Sequence, residues 1–220
     1  MQAGLPALGI ARTFPRTLVH APLEARGLNL PDLYMEQGIA HIEQIMVHGY
    51  QRHNIMGKLI WGSIQQLKLE VGLPGALLRQ DYSKYHWLAT DTWVKSVWHF
   101  LWEHSMQIED EAPHLELRRE RDQFLIKGFF AAGYRKNQLR ILNRCCLYLR
   151  ATTLADVTTG SGNILKHNAW HGDWDNTQES IYRWPHQQRP SEAEWVEWRR
   201  ALTVAFGVHP HHYTLPVPLS

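Results

Sequence analysis

Apolar side chains recur along most of this chain at the three- and four-residue spacing that lines one face of a helix. Glycine follows several of these stretches directly, at the position where a helix commonly ends. The pattern predicts helices over residues 33–48, 55–71, 91–103, 117–132, 137–149 and 191–206. We therefore expect a mainly α fold, an irregular helical domain with no internal repeat.

The stretches between these helices divide the chain into four parts. Residues 1–30 are rich in proline, glycine and arginine and are predicted to form an irregular arm. An acidic loop with a proline near residues 109–113 is the expected seam between two lobes. The N-terminal helical lobe then covers residues 31–112 and the C-terminal helical lobe residues 113–207. Residues 208–220 are predicted to form a flexible tail.

A short segment before the last helix has the composition of a tight turn. Gly160, Ser161 and Gly162 predict a small β-hairpin near residues 157–168. Closely spaced glycines can also hold a phosphate with backbone amides, but a phosphate loop needs a lysine and a following helix. Residues 163–165 are typical of a strand, which favours the plain turn.

The chain contains ten tryptophans, which belong either in the core or at a binding surface. Four stand at helical spacing, and we expect them to pack inward: Trp98, Trp102, Trp195 and Trp198. Three others lie in a polar, glycine-containing stretch, where a ring is freer to stack on a ligand: Trp170, Trp174 and Trp184.

The composition is that of a folded chain, since 44% of its 220 residues are hydrophobic. No apolar run approaches the roughly 20 residues that span a bilayer, so no membrane partner is expected. The two cysteines, Cys145 and Cys146, are adjacent, and we interpret them as free thiols with a buried structural role. Free thiols favour a reducing, intracellular compartment, with nucleus and cytoplasm both left open.

Charge is unevenly distributed. The net charge is +2, yet residues 118–150 hold nine basic and two acidic side chains. Such a block favours one anionic partner over a generally adhesive surface. Within it, Lys136, Arg140 and Arg144 are four residues apart and share one face of the predicted helix.

Three more arginines lie at the start of the predicted helix 117–132, where positive charge opposes the helix dipole. A phosphate or carboxylate would offset that cost, which again favours an anionic partner. The candidate nucleic-acid-binding residues are Arg118, Arg119, Arg121, Arg135, Lys136, Arg140, Arg144 and Arg150.

Fourteen histidines raise the question of a metal site. A zinc site needs three or four ligands on rigid elements, and the chain has neither a His-Glu-x-x-His motif nor a separated cysteine pair. We therefore assign no metal ligand, no cofactor and no catalytic residue. A metal-dependent hydrolase that uses His167, His171 and Asp173 stays open as an alternative.

Several short motifs, spread over nearly the whole chain, form a familiar series. They are Leu-Pro-Ala-Leu-Gly-Ile at 5–10, Phe-Pro-Arg at 14–16, His-Ala-Pro at 20–22, Gly-Leu-Asn-Leu-Pro-Asp-Leu at 27–33, His41, Leu-Lys-Leu-Glu-Val-Gly at 67–72, and Leu-Arg-Arg at 117–119 with Asp122. The series continues with Leu-Asn-Arg-Cys-Cys-Leu-Tyr-Leu at 142–149, Thr-Leu-Ala-Asp at 153–156, Trp-Pro at 184–185 and Gln-Arg-Pro at 188–190. Together they resemble the segment directly after the polymerase domain in reverse-transcriptase-like proteins of non-LTR retrotransposons, of the algal and protist type.

The resemblance implies an upstream polymerase domain as partner, but no chemistry in this segment. Relatives tend to have Gly-Asp-Gly where this chain has Gly160-Ser161-Gly162, which argues against a required carboxylate there. The polymerase signature, an aromatic residue before two aspartates, is absent from the sequence, and no acidic set of the ribonuclease H type is evident. Paired carboxylates hold the two metal ions of nucleotidyl transfer, so we expect no enzyme activity.

The sequence thus predicts a non-catalytic helical module of a retroelement protein that contacts RNA or DNA through a basic helical face. A protein-interaction or scaffolding domain that binds an acidic partner is the main alternative. The hydrolase is the third.

Overall fold

A computed structural model describes residues 11, 15–49, 51, 53–108, 115–173 and 182–219. The chain divides into two compact units, residues 1–47 and residues 48–220. The prediction of a mainly α fold is confirmed, because helices dominate and the β-structure of the described residues consists of isolated bridges. No helix in those ranges is long and apolar enough to cross a membrane.

The first unit begins with two short helical segments. Helix α1, Arg16–His20, precedes a 3-10 turn, Leu23–Ala25, and α2 spans Leu33–Gly49. The N–H of Leu28 donates to the carbonyl oxygen of Leu18 at 2.9 Å, so the chain folds back beside α1. The expected irregular arm therefore contains regular turns, and a proline directly precedes each of them. The part of the arm at 1–10 and 12–14 lies outside the described residues.

The second unit contains most of the helices. They are α3, Ile55–Val71; a 3-10 turn, Leu77–Arg79; α4, Tyr82–Tyr85; a 3-10 turn, His86–Leu88; α5, Trp93–Glu103; α6, Leu125–Ala131; α7, Lys136–Leu149; α8, Leu154–Val157; α9, His167–His171; and α10, Glu192–Phe206.

Local sequence explains where α3 and α10 begin and end. The Asn54 side chain accepts a hydrogen bond from the Met56 N–H, and Gly72 ends α3 at a φ of 65°. Ser191 and Glu194 form a capping box at the start of α10, and Gly207 ends it at a φ of 70°. Both helices match the predicted bounds.

The predicted helix over residues 117–132 is wrong in its first half. Residues 115–124 are not helical, and α6 begins at Leu125. The Leu125 N–H donates to the carbonyl oxygen of Thr152, and the Leu154 N–H to that of Gln123, at 3.0 and 2.9 Å. These pairings with a distant segment use backbone groups that a longer helix would have needed.

The predicted β-hairpin near residues 157–168 is not confirmed. An isolated antiparallel bridge joins Thr158 and Leu165, and the Lys166 N–H donates to the carbonyl oxygen of Val157 at 2.8 Å. The turn between them is present, but the pairing stops after this bridge because α8 ends at Val157 and α9 begins at His167.

Residues 208–219, expected to be a flexible tail, are anchored by this same turn. The Leu215 N–H donates to the carbonyl oxygen of Asn163, and the Leu219 N–H to that of Gly162, both at 2.8 Å. Leu215 and Leu219 are buried. Gly162 has a φ of 71°, and a β-carbon there would clash with the Leu219 carbonyl oxygen. The tail is therefore held by backbone bonds and apolar burial.

The core of the second unit forms where α6, α7 and α10 pack together, and α3 packs against both α5 and α7. The contact between α3 and α7 joins the two predicted lobes. The Asn143 side-chain amide donates to the carbonyl oxygen of Glu70 at 2.8 Å, across 73 residues of sequence. The compact units thus follow other boundaries than the predicted lobes, whose seam lies largely outside the described residues.

The tryptophans divide differently from the prediction. Trp98, Trp195 and Trp198 are fully buried, as expected, whereas the prediction that Trp102 packs inward is wrong, because it is 47% exposed. Trp170, expected to be freer, is buried. Trp184 packs against the cluster of Leu69, Leu115 and Phe124, and Trp174 lies outside the described residues.

We expect Trp198→Ala to lower the free energy of unfolding by about 3–5 kcal/mol, the usual cost of removing a buried aromatic ring. The ring is fully buried, contacts Phe129 edge to face, and donates from its Nε1 to the Ala169 carbonyl oxygen at 2.9 Å. Chemical denaturation gives the value directly. Val196→Ala on the exposed side of α10 is the matched control and should change it little. Equal effects of the two substitutions would show that α10 is not packed as described.

Candidate nucleic-acid interface

The basic face belongs to α7, the helix whose two sides differ most. Its buried side carries Leu139, Leu142, Asn143, Cys145 and Cys146. At the start of the helix, the Gln138 side chain accepts a hydrogen bond from the Arg135 N–H at 3.2 Å. At its end, Arg150 adopts a left-handed conformation. With the apolar side fixed against the core, residues on the opposite side face solvent.

Lys136 and Arg140 are exposed on that outer side. Within the described part of the chain, neither side chain has a hydrogen-bond or ion-pair partner. The predicted row of cations is therefore present at these two positions, with its charge uncompensated. Arg135 is also exposed, one residue before the helix, and so is Arg150 at its end.

Arg144, the third member of the row, already has a partner. Its guanidinium lies 2.6 Å from the Glu194 carboxylate at the start of α10. The same carboxylate accepts the Ser191 N–H at 2.7 Å. Burial tends to raise the pKa of Glu194, but the hydrogen bonds from Ser191 and the charge of Arg144 outweigh it and leave the pKa below its ordinary value. Arg144 is thus half-exposed and joins α7 to α10, which reduces the charge it can offer a ligand.

Three candidate arginines do not lie at the start of a helix. Arg118, Arg119 and Arg121 are in the loop before α6, so the argument from an opposed helix dipole is wrong for them. Arg118 lies 3.2 Å from an Asp156 carboxylate oxygen, and Arg121 is exposed at a φ of 64°. The Arg119 guanidinium lies beside Gly162.

Two aspartates near these arginines accept hydrogen bonds from the backbone. Asp122, which is buried, accepts hydrogen bonds from the backbone N–H groups of Arg118, Gln123 and Ala155. Asp156 accepts those of Thr152 and Thr153. Both carboxylates lie within motifs that carry the resemblance, and here they hold backbone segments together.

A groove of about 450 Å³ lies beside the basic face of α7. Both Arg140 and Arg144 line it, and none of the arginines between 118 and 121 does. Its other walls are the end of α3, residues 87–91 with Lys95 of α5, and residues 185–187. The basic face therefore adjoins a concave site, the feature that most often holds a ligand.

The polar groups inside the groove are mostly paired with one another. The Glu70 carboxylate, which is buried, accepts the Thr90 N–H and hydroxyl at 2.9 and 2.8 Å. Lys95 donates to the Ala89 carbonyl oxygen and to Asp91 at 2.9 and 2.8 Å. That hydrogen bond, with the lysine charge, lowers the pKa of Asp91. Arg140 consequently contributes uncompensated positive charge at this site.

Sequence reasoning missed most of the groove. The residues that line it come from four segments far apart in the sequence, and each motif of the sequence lies in at most one of them. They include Glu70, Trp87, Thr90, Asn143 and His186. Glu70 and Asn143 are polar residues on otherwise apolar helix faces. Because buried polar groups are paired in folded proteins, these two positions were the available signal that the segments meet.

The histidines of the hydrolase alternative and the two cysteines have the following surroundings in the structure. His167 and His171 have ring centroids 4.2 Å apart, while Asp173 pairs with Arg189 at 3.3 Å. Within the described residues, no group of three histidine, cysteine, aspartate or glutamate side chains is arranged to hold a metal ion. Cys145 and Cys146 are unbridged and buried, and burial raises the pKa of both thiols far above the ordinary value, which makes them poor nucleophiles.

Comparison with known proteins identifies no relative: no protein family, curated protein or solved structure matches this chain. The resemblance to the post-polymerase segment of retroelement proteins consequently stays a prediction that rests on the motifs themselves.

We expect the stabilising effect of the Glu194 charge to disappear in acid. A carboxylate whose pKa is lower in the folded state stabilises the fold above its unfolded pKa of 4.5, and this contribution is lost as the pH falls through the folded pKa. Glu194→Gln should cost less than about 1 kcal/mol at neutral pH, as for other ion pairs near the surface, and nothing in strong acid.

Denaturation of both proteins across that pH range measures the difference. Glu192→Gln serves as the control, because Glu192 lies in the same helical turn but its side chain is 73% exposed, so solvent screens its ion pair with Arg199. Its effect should be smaller than that of Glu194→Gln at neutral pH. A Glu194→Gln difference that stays constant with pH would contradict the assignment of the ion pair.

Proposed function

We propose that this chain is a helical nucleic-acid-binding module that contacts the phosphates of RNA or DNA through the outer face of α7. The observation that carries the proposal is the row of Lys136 and Arg140, exposed and uncompensated within the described residues. Arg144 continues the same face one turn further along.

The uncompensated charge of this row acts on anions in the surrounding water. Positive side chains without carboxylate partners attract anions, and a polyanion releases condensed counterions when it binds them. The cations stand on a helix packed against the core, so the backbone that carries them needs no ordering on binding. The excess of nine basic over two acidic side chains between residues 118 and 150 supports an anionic partner over an uncharged one.

The geometry also ranks the candidate residues. Lys136 and Arg140 come first, because a phosphate does not have to displace a carboxylate from them. Arg144 and Arg118 come second, because each has a carboxylate partner, Glu194 and Asp156 respectively.

The resemblance supplies the second half of the proposal: the module belongs to a retroelement protein and works beside a reverse-transcriptase-like polymerase domain without catalysing nucleotidyl transfer itself. The missing aspartate pair supports this division of labour. Asp122 and Asp156 also support it, because their oxygens accept hydrogen bonds from backbone N–H groups and are thereby less available to a metal ion.

We expect Lys136→Ala and Arg140→Ala each to weaken the binding of single-stranded RNA and to lower the slope of log affinity against log salt concentration by about 0.7. Fluorescence anisotropy of a labelled RNA across a salt series measures both quantities. Affinity should fall with little dependence on sequence, because phosphates carry no sequence information.

Arg200→Ala is the matched control, since Arg200 is 72% exposed on α10 and does not line the groove. It should leave the slope unchanged. A double variant of Lys136 and Arg140 that binds RNA as the original chain does would contradict the proposal. Salt-dependent binding to an acidic protein but not to RNA would instead favour the scaffolding function.

A further inference from the structure

The groove beside Arg140 combines features that a phosphate contact alone does not require. About 450 Å³ is within the range of pockets that hold small organic ligands. Its apolar lining includes Trp87, Leu88, Leu147 and Pro185. A surface that bound phosphates alone would need neither depth nor an aromatic wall.

Trp87 is the unusual member of this wall. It lies in the 3-10 turn His86–Leu88 and is half-buried. Within the described residues its ring makes no aromatic contact and its Nε1 no hydrogen bond. The Nε1 groups of Trp61, Trp98 and Trp198 donate to backbone carbonyl oxygens, whereas that of the buried Trp195 has no partner within the described residues. Trp87 therefore lines the groove with a ring and a donor that no aromatic or polar group of the described residues engages.

The groove floor is polar and ordered. Glu70 and Asn143 are both buried, and Asn143 donates to the Glu70 carbonyl oxygen at 2.8 Å. Thr90 fixes the Glu70 carboxylate with two hydrogen bonds. A carboxylate has about four acceptor positions, so acceptor capacity remains beyond these bonds. Such a floor suits a planar group with polar edges better than an aliphatic side chain.

From this arrangement, and resting on the proposed function, we infer that the groove receives one unstacked base of a single-stranded nucleic acid. The base stacks on Trp87 with its edge toward Glu70 and Asn143, while an adjacent phosphate contacts Arg140. A base within a duplex is paired and stacked on both faces, so it cannot enter such a groove. The module should therefore prefer single strands to duplexes.

The test uses the full chain and three probes measured by fluorescence anisotropy: a short oligo(dC) strand, the same strand with abasic sites, and an oligo(dC)·oligo(dG) duplex of equal length. Oligo(dC) should bind roughly 5- to 150-fold more tightly than its abasic form, the range expected for one base stack. It should also bind more tightly than the duplex. These comparisons need no substitution in the protein.

Variants locate the stack. Trp87→Ala should reduce the preference for oligo(dC) over the abasic strand to about onefold and leave the salt slope unchanged, because no counterion release is lost. Trp87→Phe should retain most of the preference, which separates loss of stacking from loss of folding. Trp102→Ala is the matched control, since Trp102 is exposed and does not line the groove.

The outcomes distinguish this inference from the proposed function. If Arg140→Ala lowers the salt slope but abasic and base-bearing strands bind equally, the inference is overturned and phosphate binding stands. An equal loss of preference in Trp87→Ala and Trp102→Ala also overturns it. If neither these probes nor the labelled single-stranded RNA shows salt-dependent binding, both proposals fail together.

Discussion

The packing of the apolar side of α7 against α3, α6 and α10 is the constraint on which the other features of the second unit depend. Leu139, Leu142 and Cys145 are almost completely buried, so the rotation of the helix about its axis is fixed. That rotation directs Lys136 and Arg140 to solvent and brings Asn143 to the carbonyl oxygen of Glu70. The basic face and the adjoining groove are consequences of one buried stripe.

Features encoded by neighbouring residues could be predicted from the sequence. Helix α3 has its cap, stripe and terminal glycine within a single stretch, and its predicted bounds match the structure. The exposed position of Arg140 followed from the same periodicity. Features that depend on distant partners could not be predicted. Residues 117–124 are kept out of the helix by bonds to residues 152–155, and the tail is held by Asn163 and Gly162.

The aspartates in the motifs of the resemblance and the cations of α7 differ in what they do for the fold. Asp122 in the loop before α6 and Asp156 in α8, which belong to motifs of the resemblance, each accept hydrogen bonds from the backbone and hold these segments in place. Folding alone accounts for these two side chains. Lys136 and Arg140 on α7 are exposed, and exposed charges contribute little to the stability of the fold. The proposed binding of nucleic acid would give these two side chains a role that folding does not.

The most direct test of that claim is chemical protection of individual arginines. Phenylglyoxal modifies exposed guanidinium groups, and peptide mass spectrometry measures the extent of modification at each residue with and without single-stranded RNA. We expect RNA to protect Arg140 strongly while Arg200, which is also exposed and lies on α10, reacts as before. Equal reactivity of Arg140 in the presence and absence of saturating RNA would contradict the assignment of α7 as the nucleic-acid-binding face.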